Sequence, residues 1–197
     1  LLSIDDHIID KIKKNRKGSV FFIDDFLSFG TAKAVGKALE RLVEKNEISR
    51  VSRGIYARLK QHPLLGELSP TTEDIAIAIA KKDKARIIPT GVLALNALGL
   101  STQVPMKIVY LTDGSARTIK IGKRTIKFKK VSPKNLAAIG PISRLVIQAL
   151  KILGKDNATE KEIEIILKHL KTEDPFRLEH DIKLAPEWIR IIMRKAL

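Results

Sequence analysis

Gly30 to Arg58 reads GTAKAVGKALERLVEKNEISRVSRGIYAR. In its first half Val35, Leu39, Leu42 and Val43 recur at the spacing of one helix face, while Lys33, Lys37 and Arg41 line another. The spacing predicts an amphipathic helix with a basic outer stripe, N-capped by Thr31. Ile48 to Val51 and Ile55 to Arg58 follow as two short runs rich in β-branched and aromatic residues, divided by Ser52, Arg53 and Gly54. A helix that feeds a tight basic hairpin is the pattern of the recognition helix and wing of a winged helix-turn-helix. In that arrangement the N-terminal half of the helix enters the major groove of DNA, and a hairpin Arg reaches the adjacent backbone or minor groove.

The preceding residues complete that order. Ser3 and Asp6 form a capping box for a first helix whose Ile4, Ile8, Ile9 and Ile12 share a face. Asn15 to Gly18 breaks it, Val20 to Ile23 is a short apolar run able to pair with the hairpin, and Asp24 or Asp25 caps a short helix that Gly30 ends. A Lys-rich helix face can equally be a solvated surface. The DNA-binding reading is preferred because both basic elements fall where a winged helix touches DNA. It assigns Thr31, Lys33 and Lys37 to base edges or nearby phosphates, and Arg41, Arg50 and Arg53 to backbone and minor groove.

Composition agrees with a polyanionic partner. The 197 residues carry a formal net charge of +15, and neutralising phosphates with such an excess releases condensed counterions. There is no cysteine, hence neither a disulfide framework nor a thiolate metal site. The opening LLSIDDHIIDKIKKN mixes charges through its apolar residues, unlike a signal peptide, and no apolar run is long enough for a bilayer span. A cytoplasmic location with no membrane association is the expectation.

Pro63, Gly66 and Pro70 punctuate residues 61–70 as a linker between a domain at 1–60 and a second at 71–197. Thr71 and Asp74 cap a helix over Ile75 to Lys82, Arg86 to Ile88 reads as extended, and Thr90 to Leu98 as a short helix closed by Gly99. Met106 to Thr112, Ala116 to Ile121 and Arg124 to Val131 read as three antiparallel strands joined by Asp113-Gly114 and Gly122-Lys123, pairs that suit two-residue hairpin loops. That register brackets Arg117 between Tyr110 and Phe128 and sets Lys107 opposite Lys120. Lys107, Lys120, Lys127 and Lys129 then form either a solvated edge or a second surface for an anion or acidic partner; between Gly114 and Lys155 there is no Asp or Glu. The remainder reads as helices, opened by Gly140-Pro141, by a Thr159/Glu162 capping box, and by Pro175 and Pro186.

Catalysis requires a constellation that the sequence does not offer. His7, His62, His169 and His180 are scattered without ligand spacing. Gly30 to Lys37 is one residue too long between its glycines for a phosphate loop, and Ala38 stands where Ser or Thr would bind magnesium. Glu179-His180-Asp181 reads as surface charge, and Trp188 and Phe176 as core aromatics. No catalytic residue, metal ligand or cofactor is assigned, and the chain is read as a non-enzyme.

The string ALERLVEKNEISRVSRGIYAR resembles the N-terminal winged helix of AbiEi-type antitoxins and related AbiEi-like proteins, in which an AL-x-RL helix leads to an R-x-x-RG-x-Y wing. IPTGVLALNALGLSTQVPMKIVYLTDG and RTIKIGKRTIKFKKVSP also look like the second part of that related family. The resemblance implies a regulator of a type IV toxin-antitoxin operon: its first domain binds inverted repeats at its own promoter, and its second counters a nucleotidyltransferase-type toxin encoded alongside. A winged-helix regulator with no toxin partner is the alternative. The expected architecture is α+β, with an N-terminal winged helix-turn-helix and a C-terminal domain of helices packed on a small antiparallel β meander.

Overall fold

The computed structural model describes residues 2–64 and 66–197, Gln61 by its backbone alone. Leu1, at the head of the expected first domain, and Leu65, in the expected linker, lie outside the described residues. The protein is mixed α+β and divides into two compact units: Leu1–Lys82 with Lys120–Gly122, and Asp83–Ile119 with Lys123–Leu197.

In the first unit, α1 (Ile4–Lys13) starts at the expected capping box: the Asp6 backbone N–H donates to Ser3 Oγ at 3.2 Å, and the Ser3 N–H donates to Asp6 Oδ2 at 2.8 Å. β1 (Val20–Phe22) leads into a 3-10 helix, Ile23–Phe29, whose start is held by Asp25, its carboxylate accepting from the Phe22 N–H at 2.7 Å. Asp24 instead pairs with Lys82 at 2.7 Å. α2 (Ala32–Glu44) is capped by Thr31, whose Oγ1 accepts from the Ala34 N–H at 3.3 Å. β2 (Ser49–Ser52) and β3 (Ile55–Ala57) follow, joined through Gly54 at φ +71°, a left-handed conformation that favours glycine. The sheet order is β1-β3-β2, with Phe21 opposite Tyr56 and Arg50 opposite Tyr56 on the other side. Ile8 and Ile12 of α1, Phe26, and Val35, Leu39 and Leu42 of α2 close one core over that sheet. Each such side chain contributes about 1.5–3 kcal/mol by leaving water.

The segment read as a linker holds a short hairpin, β4 (Lys60–His62) with β5 (Gly66–Leu68). α3 (Thr72–Lys82) begins at the expected cap, the Asp74 N–H donating to Thr71 Oγ1 at 3.1 Å. The sequence reading places it at the head of the second domain. Its packing instead groups it with the first unit, where Lys82 Nζ lies 4.7 Å from the centroid of the Phe22 ring.

The second unit is built on a four-stranded sheet: β6 (Ile87–Thr90), β7 (Lys107–Thr112), β8 (Arg117–Ile121) and β9 (Arg124–Lys130), in the order β6-β7-β9-β8. α4 (Val92–Ala97) follows β6, and α5 (Pro141–Leu153), α6 (Glu160–Leu170), α7 (Pro175–Ile182) and α8 (Glu187–Arg194) pack as a helical cluster around Val146, Leu150, Ile166, Leu170, Ile189 and Met193. Among the described residues no helix is long and apolar enough to cross a membrane.

The expected antiparallel meander is not what forms. β7 pairs with β9 in parallel, Ile108 opposite Ile126 and Tyr110 opposite Phe128, while β6 runs antiparallel on the other edge of β7. β8 is displaced to the sheet edge. Two physical causes are visible. Gly114 does not take the left-handed conformation that a type I′ turn needs, and the Asp113 carboxylate is drawn to Arg86, accepting from its backbone N–H and from Nε at 2.8 Å each. Moreover, β9 alternates buried Ile126 and Phe128 with exposed lysines, whereas β8 has no fully buried residue; the interior position goes to the strand with more apolar surface to bury. Pro89 sits on edge strand β6, where a missing donor is tolerated.

Candidate nucleic-acid interface

The outer face of α2 is set by helical period. Val35, Ala38, Leu39 and Leu42 are buried, which turns Lys33, Lys37, Glu40 and Glu44 outward. The exposed face therefore runs from basic in its first half to acidic in its second. No acid lies in the first turn of α2, so the positive end of the helix dipole and the Lys33 and Lys37 charges add rather than cancel. Thr31, Lys33 and Lys37 are all exposed there.

The remaining expected DNA-binding residues separate. Arg41 is turned aside to α1, where its Nε and Nη2 donate to Asp5 Oδ2 and Oδ1 at 2.9 and 2.6 Å. That bidentate pair holds the Asp5 carboxyl below its ordinary range and raises the guanidinium above its own, chiefly through the side-chain hydrogen bond. Arg41 is thus engaged within the protein. Arg50 shares a shallow recess with Glu40, Glu44 and Tyr56, beside the acidic half of α2. Tyr56 is driven up from its ordinary value by burial. Arg53 is exposed in the β2–β3 turn.

In the sheet of the second unit, Lys107, Lys127 and Lys129 are exposed and alternate with the buried Ile108, Ile126 and Phe128, which puts the three on one face. Lys107 lies opposite Thr125, not Lys120, because β9 intervenes. The like-charge pair expected from the meander does not exist, and the Lys120–Gly122 segment groups with the first unit. Arg117 does meet Phe128, its Cζ 5.7 Å from the ring centroid, while Tyr110 and Phe128 stack at 6.0 Å and Arg117 also pairs with Asp83.

Two other expectations are corrected. Phe176 is 74% exposed rather than core, because the buried residues of α7 are Leu178, Asp181 and Ile182 and their common face leaves Phe176 outside. Trp188 is partly buried against the helical cluster. Asp181, read as surface charge, is 0% exposed. Its carboxylate accepts from the Ile139 and Gly140 N–H groups at 2.9 and 2.8 Å, from the Ser143 hydroxyl, and is joined by His180 Nδ1 at 2.8 Å. Glu173, nearly as buried, accepts from Ile142 N–H at 2.7 Å and Ser143 N–H at 3.1 Å. Together they satisfy the orphan donors that open α5. The Ser143 hydroxyl, fully buried like Asp181, donates to that carboxylate, so the group as it stands caps the helix. Only the run of charge at 179–181 hinted at it in the sequence. Among the described residues, no three His, Asp or Glu side chains group as metal ligands.

No curated protein matches the sequence. Among solved structures, the crystal structure of RV2827C protein from Mycobacterium tuberculosis is similar at 12% identity and a TM-score of 0.47, with 98% of this chain and 82% of that one covered. Residues 7–178 match the model of a family of unknown function, DUF6088, and the chain therefore belongs to that family.

Proposed function

We propose that this protein is a cytoplasmic DNA-binding transcriptional regulator, whose first unit acts as a winged helix on an operator of inverted repeats. The observation that carries the reading is the basic first half of α2: Thr31, Lys33 and Lys37 are exposed at a helix N-terminus with no acid in its first turn. The strand order β1-β3-β2 beside α1 and α2, and the exposed Arg53 in the turn that would serve as a wing, support the same reading. Lys33, Lys37 and Arg53 form no ion pair among the described residues, so their charge is available to phosphates.

Autorepression of its own operon, together with antitoxin activity lodged in the second unit against a nucleotidyltransferase-type toxin, follows from the AbiEi-like residues and belongs to the same proposal. The Lys107, Lys127 and Lys129 face is a candidate second binding surface within it. The test is binding to duplex DNA from upstream of the gene across a salt series. Lys37→Ala with Arg53→Ala is expected to weaken binding and to lower the salt slope by about one for each phosphate no longer neutralised. Unchanged affinity and slope would overturn the docking model. Co-expression with the product of the adjacent gene tests the antitoxin half, and growth that is indifferent to the protein leaves a regulator without a toxin.

A further inference from the structure

The second unit contains a recess that the reading above does not use. Arg144, Gln148 and Lys151 stand at i, i+4 and i+7 of α5, one face of the helix. With Lys134 and Asn135 from the 3-10 helix Pro133–Leu136 they line a cavity of ≈ 60 Å³. Its lining has three positive side chains and no carboxylate, and none of the three makes an ion pair among the described residues.

Two groups in it lack partners. Arg144 Nε is buried without a hydrogen bond. Gln148 is only 5% exposed, and its amide makes no hydrogen bond within the described protein. A buried polar group without a partner, here Arg144 Nε, costs about 1–3 kcal/mol, and three cations around a small volume add a repulsion that solvent partly screens at the exposed Lys134 and Lys151. Both costs are relieved by one occupant: a compact anion rich in acceptors. The room is that of about two waters at about 30 Å³ each, the scale of one tetrahedral oxyanion. Guanidinium, ammonium and amide donors converging from two elements suit its several oxygens better than a planar carboxylate. Ile147 and Leu184 also line the recess. A monoester, with close to two negative charges at neutral pH, balances the three positive side chains better than a diester with one.

We propose that this recess binds the phosphate group of a small phosphate monoester. The proposal is independent of DNA binding by the first unit, since Lys37 and Arg53 line no part of it.

The test is calorimetric titration of the full chain with inorganic phosphate at constant ionic strength. The expected result is one site with a Kd of about 1 mM or tighter, weakened about tenfold by Arg144→Gln and by Lys151→Gln. Lys168→Gln, which removes the same charge outside the recess, leaves binding unchanged. A nucleoside 5′-monophosphate competes with phosphate, and the uncharged nucleoside does not. Lys151 is exposed, so its replacement reads the site even if the Arg144 variant fails to fold. Absence of binding by the unaltered protein, equal weakening in Lys168→Gln, or failure of the monoester to compete would each overturn the proposal.

Discussion

Asp181 and Gly140 are 41 residues apart in sequence, yet the fully buried Asp181 carboxylate accepts the Gly140 backbone N–H at 2.8 Å. The same carboxylate takes the Ile139 N–H and the Ser143 hydroxyl, so α7 caps the start of α5 from a distance. Asp181→Asn keeps the shape but turns an amide NH₂ toward donors and removes the charge. Unfolding free energy is expected to fall by about 2–4 kcal/mol. Urea denaturation followed by circular dichroism checks this; an unchanged midpoint would show the cap to be dispensable.

Gly140 is a glycine for want of space. Its φ of −74° is ordinary, but a Cβ there would run into the Ser143 Oγ first and would also stand 2.5 Å from Glu173 Oε2. Gly140→Ala is expected to destabilise by about 1–3 kcal/mol through overpacking. In a double-mutant cycle with Ser143→Ala, the combined effect should be smaller than the sum, because removing the hydroxyl that the new Cβ meets first relieves much of the clash. Additive effects would place the strain elsewhere.

The Asp5–Arg41 pair should make the first unit acid-sensitive in a defined direction. The Asp5 carboxyl is held below its ordinary value of 3.8, first by the hydrogen bond from Arg41. A carboxyl lowered on folding contributes stability above its unfolded value, and this is lost as pH falls through the lowered one. Asp5→Asn should therefore cost up to about 1 kcal/mol at neutral pH, with the gap to the unaltered protein closing in acid below the ordinary value. A gap that persists undiminished in strong acid would contradict the assignment.

The same pair separates Arg41 from the lysines of α2. Arg41→Ala should change DNA affinity and salt slope much less than Lys37→Ala, because Arg41 Nη2 is already 2.6 Å from Asp5 Oδ1. Anisotropy titrations of the two variants side by side decide it. A weakening by Arg41→Ala as large as that by Lys37→Ala would show that the arginine leaves Asp5 to meet DNA.

What the chain announced in advance was local. The capping pairs Ser3/Asp6, Thr71/Asp74 and Thr159/Glu162, Thr31 at the head of α2, and Gly154 past the end of α5 all appear where the residues put them, because a cap is made within one helical turn and needs no other part of the molecule. The basic first half of α2 was equally legible, since the period that buries Val35 and Leu39 turns Lys33 and Lys37 outward. Only the tertiary structure decided which strand lies beside β7, that Arg41 belongs to Asp5, and that Asp181 is buried. Each depends on a partner far along the chain: β9 rather than β8 enters the sheet because Ile126 and Phe128 have more apolar surface to bury, and Asp181 goes inside because the backbone donors of α5 are there to satisfy it.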